Sequence, residues 1–165
     1  MSERILKPVP LTRERFKPFG DVIESSHVEA AAMNDARFER FNDLCNVDVG
    51  DGRVAVSITT SRVATKLPYL VSMVERHPLG SQAFVPLSPC RMIFVVAPPA
   101  ESVDEDALVA FVSNGHQGIN YARGTWHMPL LAFDTGQRYL IIDRAADRPN
   151  CDVHELENPV LLEGH

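Results

Sequence analysis

The stretch M-V-E-R-H-P-L-G-S-Q-A-F-V-P, residues 73–86, decides how this chain is read. An apolar, strand-like segment running from Tyr69 ends at Glu75. H-P-L-G, residues 77–80, is a turn, and Q-A-F-V-P resumes an extended strand. Side chains alternate across a strand, so Glu75 and His77 share a face if the strand continues through Arg76, which then points the other way. Gln82 returns to that same face on the next strand. A second cluster, N-Y-A-R-G-T-W-H-M-P (residues 120–129), adds His127 from a distant strand. The expectation is that the two clusters meet in one small-molecule site. One carboxylate, two imidazoles and one amide form a plausible ligand set for a divalent cation such as zinc, nickel, iron or manganese. The blander reading of Glu75-Arg76-His77 is a solvated edge followed by a surface turn.

Outward from this stretch the chain is punctuated by glycine and proline. R-V-A-V-S-I-T-T-S-R, residues 53–62, alternates apolar with small or polar residues and is β-branched, a good strand. Gly50-Asp51-Gly52 precedes it as a turn, and Leu67-Pro68 breaks the chain after it. Residues 91–97 read as a strongly apolar strand. Residues 107–112 fit a strand or short helix, and Asn114-Gly115 is a hairpin signal. Gly124 marks a turn, and residues 129–133 and 137–143 read as two further strands. Prolines in the first 24 residues exclude a long helix but fit an extended edge strand and one short helical turn capped by Thr12. Gly20-Asp21 reads as a turn, residues 25–42 as a loop with a helical turn, then a strand toward Leu44 and Val47. The tail from Arg144 reads as mostly irregular, with residues 160–162 packing back. Many short strands and no sustained helical period argue for an all-β barrel or sandwich.

The 165 residues fit one domain, 1–165, large enough for a real core. The formal net charge of −6 and the lack of a basic run argue against nucleic acid. No segment reads as membrane-spanning or as a signal peptide, so a cytoplasmic location is expected. Cys45, Cys90 and Cys151 are widely spaced and form no CxxC pair, which suits reduced structural thiols rather than a zinc knuckle.

The block E-R-H-P-L-G-S-Q together with Y-A-R-G-T-W-H resembles the two signature regions of the ureidoglycolate lyases, formerly called ureidoglycolate hydrolases. The opening F-K-P-F-G-D-V-I (residues 16–23) and the late I-I-D-R (141–144) and N-C-D-V (150–153) are similar to that family as well, so the likeness covers nearly the whole chain. It implies a cupin-like double-stranded β-helix barrel with one or two short helices. It also implies release of glyoxylate and urea from ureidoglycolate in allantoin breakdown, and a homodimer. Cupins carry an H-x-H and then a Glu in their first motif and a His in their second. Glu75 and His77 fall on the H-x-H positions, Gln82 on the Glu position and His127 on the later His. The metal set implied is Glu75, His77, Gln82 and His127, for nickel, zinc or manganese. The neutral Gln82 implies weak binding or an empty site.

Ureidoglycolate is an anionic carbinol. A lyase must take its hydroxyl proton and protonate the departing ureido nitrogen. Candidate catalytic residues are His77, His127 and Glu75. Arg123, with a planar fork for a carboxylate, and Tyr121 are the candidate substrate-binding residues. Their plainer readings are a solvated turn arginine and a barrel-wall aromatic. Asp143 either orients a histidine or pairs with Arg144, the ion pair being the plainer reading. Two other functions stay open at this stage: a non-catalytic small-molecule-binding cupin, and another metal-dependent cupin enzyme.

Overall fold

The computed structural model describes residues 4–164. The chain folds into an almost entirely β structure, a cupin-like β-barrel. Its strands are β1 (Arg4–Leu6), β2 (Val9–Pro10), β3 (Gly20–Ile23), β4 (Ala31–Met33), β5 (Phe38–Arg40), β6 (Arg53–Thr60) and β7 (Tyr69–Arg76). They continue as β8 (Gln82–Pro86), β9 (Ile93–Ala97), β10 (Val109–Val112), β11 (Gly118–Tyr121), β12 (Trp126–His127), β13 (Arg138–Ala145) and β14 (Asp152–Leu162). One short helix, α1 (Arg13–Phe16), is capped as expected: Thr12 Oγ1 accepts from Arg15 N at 3.2 Å. Phe16 anchors that turn in the core.

A strongly curled seven-stranded sheet runs β1-β14-β7-β12-β9-β10-β2, facing a five-stranded sheet in the order β3-β11-β8-β13-β6. The pleat of β9 shows how one sheet serves two cores. Ile93, Val95 and Ala97 join Val71, Trp126, Val160 and Leu162 on one face. Phe94 and Val96 face the other way, meeting Phe84, Ile119, Tyr121 and Tyr139 of the five-stranded sheet. The first strands cap the large sheet: β1 pairs with β14 and β2 with β10, both parallel, so the start of the chain covers both open edges.

Several local expectations are corrected. The tail is not irregular, since β14 is the longest strand and pairs with β7 over Asp152–Glu155 and again over Val160–Leu162. A register shift between Glu155 and Val160 absorbs Asn158-Pro159, the pair that looks like a strand breaker. Residues 129–133 form no strand; they are held by packing and by Thr65 N donating to the Ala132 carbonyl at 2.7 Å. The region of Leu44 and Val47 is irregular, and the pairing there belongs instead to the β4–β5 hairpin. Gly20 and Asp21 lie inside β3. Asn114-Gly115 turns the chain, but from β10 in one sheet to β11 in the other rather than within a hairpin. The three cysteines are free.

Candidate active site

The two sequence clusters meet because β12 lies between β7 and β9. In that register His127 stands directly opposite Glu75, so both side chains project to the same face. A second tie joins the turns themselves: Gly124 N donates to the His77 carbonyl at 2.9 Å. Gly124 adopts φ +79, the left-handed conformation that favours glycine, and the chain can reverse there. Arg76 points to the opposite face from Glu75, as alternation requires. It binds Asp152 at 2.9 Å and lies over the Trp126 ring, 5.1 Å from its centroid.

Inside, one ligand atom each from Glu75, His77 and His127 lies within 4.8 Å of the others. The His77 and His127 rings are 5.1 Å apart. Gln82, the first residue of β8, places Oε1 3.0 Å from His77 Nε2. His127 Nδ1 donates to the Thr125 carbonyl at 3.0 Å, which leaves Nε2 to face Glu75 Oε1 at 3.5 Å. That Nε2 is buried and has no hydrogen-bond partner. Tyr121 stacks on the His127 ring, 4.1 Å between centroids and 14° between planes. Glu75, His77, Gln82, His127 and Tyr121 thus come together.

Burial lowers the His127 pKa, with the Glu75 carboxylate opposing. The Glu75 carboxyl is held below its ordinary value, chiefly by the His127 ring nitrogen beside it, with burial opposing. Burial, reinforced by the Glu75 charge, raises the Tyr121 phenol and keeps it protonated. With Nδ1 turned to the Thr125 carbonyl, His127 Nε2 is the ring nitrogen that faces the Glu75 carboxylate. A positive charge between the two, a proton or a metal ion, stabilises that arrangement. Atoms sharing one metal at about 2.1 Å lie roughly 3.0–3.4 Å apart along the edges of an octahedron or tetrahedron. The His77–Gln82 and His127–Glu75 separations of 3.0 and 3.5 Å are of that order, so the donor set fits a divalent metal.

The Arg123 side chain is turned toward Asp48. Its fork is filled by Asp48, with Nε and Nη2 at 2.9 and 2.7 Å from the two carboxylate oxygens. Asp143 does not pair with Arg144. It accepts from Gln82 Nε2 at 3.1 Å, while Arg144 reaches Asp51 at 2.6 Å. The sequence reading assigned no role to Asn150, although it lies within the quoted N-C-D-V motif. Its carbonyl accepts from His77 Nδ1 at 2.7 Å, and its side chain accepts from Leu79 N at 2.7 Å, clamping the H-P-L-G turn. Cys151 donates weakly to Glu75 Oε2 at 3.7 Å. A cavity of about 370 Å³ opens over His77, Gln82 and Asp143, with Ser81, Arg144 and Arg148 in its wall. A larger groove, about 630 Å³, runs beside Thr12, Glu24 and His27 and contains none of these residues.

The family model described as ureidoglycolate lyase matches residues 3–163. The chain belongs to the ureidoglycolate lyase family. It is 43% identical over 161 residues to a ureidoglycolate lyase of Burkholderia cepacia, covering 96% of this chain and 90% of that one. It is 42% identical to those of Pseudomonas syringae pv. syringae (strain B728a) and Azotobacter vinelandii. Those matches cover 93% and 92% of this chain, and 91% and 92% of the two relatives. No described helix is long and apolar enough to cross a membrane.

Proposed function

We propose that this chain, as a single domain over residues 1–165, is a ureidoglycolate lyase. It converts ureidoglycolate to glyoxylate and urea in the use of purine nitrogen. The observation that carries this reading is the meeting of Glu75, His77, Gln82 and His127 at one end of the barrel, in a chain of this family.

In the reaction the hydroxyl O–H bond is cleaved, the C–N bond breaks as the carbonyl of glyoxylate forms, and the ureido nitrogen gains a proton. Water is neither consumed nor released. Glu75, held ionised, takes the hydroxyl proton. His77 and Tyr121 are the groups placed to return a proton to nitrogen. His127, stacked on Tyr121, holds the other side of the site. Arg123 serves the substrate carboxylate by exchanging Asp48 for it, a carboxylate-for-carboxylate swap at an exposed ion pair.

Glu75, His77, His127 and Gln82 would hold a divalent metal: nickel, zinc or manganese. Such a cation, when bound, neutralises the substrate carboxylate and lowers the hydroxyl pKa. A metal-free acid–base site is the second reading. It is favoured by His77, both of whose ring nitrogens face oxygen acceptors and are therefore placed to carry protons. Chelation followed by add-back of single metals separates the two; activity indifferent to both treatments selects the metal-free site. Product analysis tests the reaction itself: equimolar glyoxylate and urea are expected, and ammonia with carbon dioxide would indicate hydrolysis instead.

The chain is also proposed to act as a cytoplasmic homodimer. Val54, Val56 and Ile58 expose one apolar face of β6, the outermost strand of the five-stranded sheet, and this is the surface offered to a second copy.

A further inference from the structure

Each donor atom around the triad is aimed by a partner on its far side. The Thr125 carbonyl holds His127 Nδ1, and the Asn150 carbonyl holds His77 Nδ1. Both are backbone oxygens and cannot be changed by substitution at those positions. Gln82 differs. A side-chain amide has two ends of similar shape and opposite chemistry: one oxygen that accepts and one nitrogen that donates. Nothing about its backbone decides which end faces His77. Asp143 Oδ2 does, at 3.1 Å from Gln82 Nε2. An ionised carboxylate only accepts, so the amide nitrogen must turn to Asp143 and the oxygen must turn inward, 3.0 Å from His77 Nε2. With the amide reversed, two acceptor oxygens would face each other at Asp143, and an N–H that cannot bind a cation would enter the site.

We propose that Asp143 is a positioning residue that selects the oxygen end of Gln82 and so supplies the site with its fourth donor atom. Asp143 need not touch substrate or metal; it acts through Gln82. Register explains why it can. Ile142 of β13 lies opposite Ala83 of β8, which brings the next inward residue, Asp143, beside the preceding inward residue, Gln82. A glutamine where metal cupins carry a glutamate is then not simply a weakened ligand, because a fixed anion behind it defines which atom it offers. The inference rests on the metal reading above, and its test is built to fail separately.

The test measures nickel(II) binding to the purified, metal-free full chain, by competition with a chromophoric chelator. Outer partners of this kind typically carry about 10–100-fold in metal affinity. Asp143→Leu is expected to weaken binding by about that factor. Asp143→Asn, whose amide can pair with either end of Gln82 and so no longer selects the oxygen, is expected to bind more weakly than the unaltered chain but more tightly than Asp143→Leu. In a Gln82→Leu background, Asp143→Leu should cost nothing further, since its effect passes through Gln82. Should Asp143→Leu not fold, Asp143→Ala carries the same expectations. Equal affinity in Asp143→Leu, or additive losses in the double variant, would overturn the positioning role and leave the metal reading standing. No nickel binding by the unaltered chain would overturn the metal reading. The side-chain amide resonances of Gln82, identified by their loss in Gln82→Leu, then decide the positioning role in the metal-free protein. They are expected to shift in Asp143→Leu, and unchanged resonances overturn it.

Discussion

In the space between the sheets, Phe16 packs against Phe19, Phe94, Phe111 and Tyr121 with ring centroids 5.6–6.4 Å apart. One pleat further along lie Glu75, His77, Gln82, His127 and Asp143, joined to the aromatic group through Tyr121. The same strands build both. In the five-stranded sheet one row of inward residues is Ile119, Phe84 and Ile141, all apolar. One pleat further along, the row is Tyr121, Gln82 and Asp143. Tyr121 belongs to both clusters: its ring meets Phe84 and Phe94 edge-on and stacks flat on His127. The difference teaches that function here needed no new element. Polar residues replace apolar ones in the last inward row, and Tyr121 packs that row onto the aromatic cluster.

This contrast can be broken or sharpened by substitution in either cluster. His127→Ala or His77→Ala should lower kcat/KM by roughly 10²–10⁴ while the chain stays folded. Steady-state urea release together with circular dichroism checks this, and near-normal turnover in both variants would sink the site assignment. Phe16→Ala, in the aromatic cluster, should act the other way round, costing about 3–5 kcal/mol of stability in denaturant titrations. If Phe16→Ala folds normally yet loses its turnover, the two clusters are not separable as described.

The acid response should also come from the polar cluster. His127 has a lowered pKa in the folded chain and binds fewer protons there than in the unfolded chain. Stability therefore falls as pH drops below its ordinary value of 6.5. Glu75, also depressed, contributes stability that is present above its ordinary value of 4.5 and lost as pH falls through its lower folded value. Unfolding free energies between pH 2.5 and 8 should show this slope, and Glu75→Gln should flatten the part below 4.5; an unchanged profile in the variant would remove Glu75 from the account. The smallest effect on the fold is expected from Val56→Lys on the exposed face of β6. It should shift the oligomer toward monomer in light scattering while changing chain stability by only about 0.5 kcal/mol.

Much of the barrel was legible locally. The strands at 53–60, 69–76, 82–86 and 93–97 follow from β-branched or apolar runs bounded by glycine and proline. β14 was not legible, because Asn158-Pro159 looks like a break, and only the partner strand β7 shows that a register shift accommodates it. The apolar residues 129–133 misled in the opposite direction: apolar content can be satisfied by burial without strand pairing. Within the site, Glu75, His77, Gln82 and His127 were legible as chemical types. The engagement of Arg123 by Asp48 was not, since those residues are far apart in sequence and neither has a local signal for the other.

The sequence by itself determined which residues could share a face, because the two-residue period of a strand is a local property. It placed Glu75 and His77 on one side with Arg76 on the other, and it carried the signatures of the family. Only the tertiary structure decided that His127 sits opposite Glu75, that Asp143 turns to Gln82 rather than Arg144, and that Asn150 closes the H-P-L-G turn. Each of those contacts joins residues far apart along the chain. Which strands become neighbours depends on closing the whole barrel around its two cores, and no local period encodes that choice.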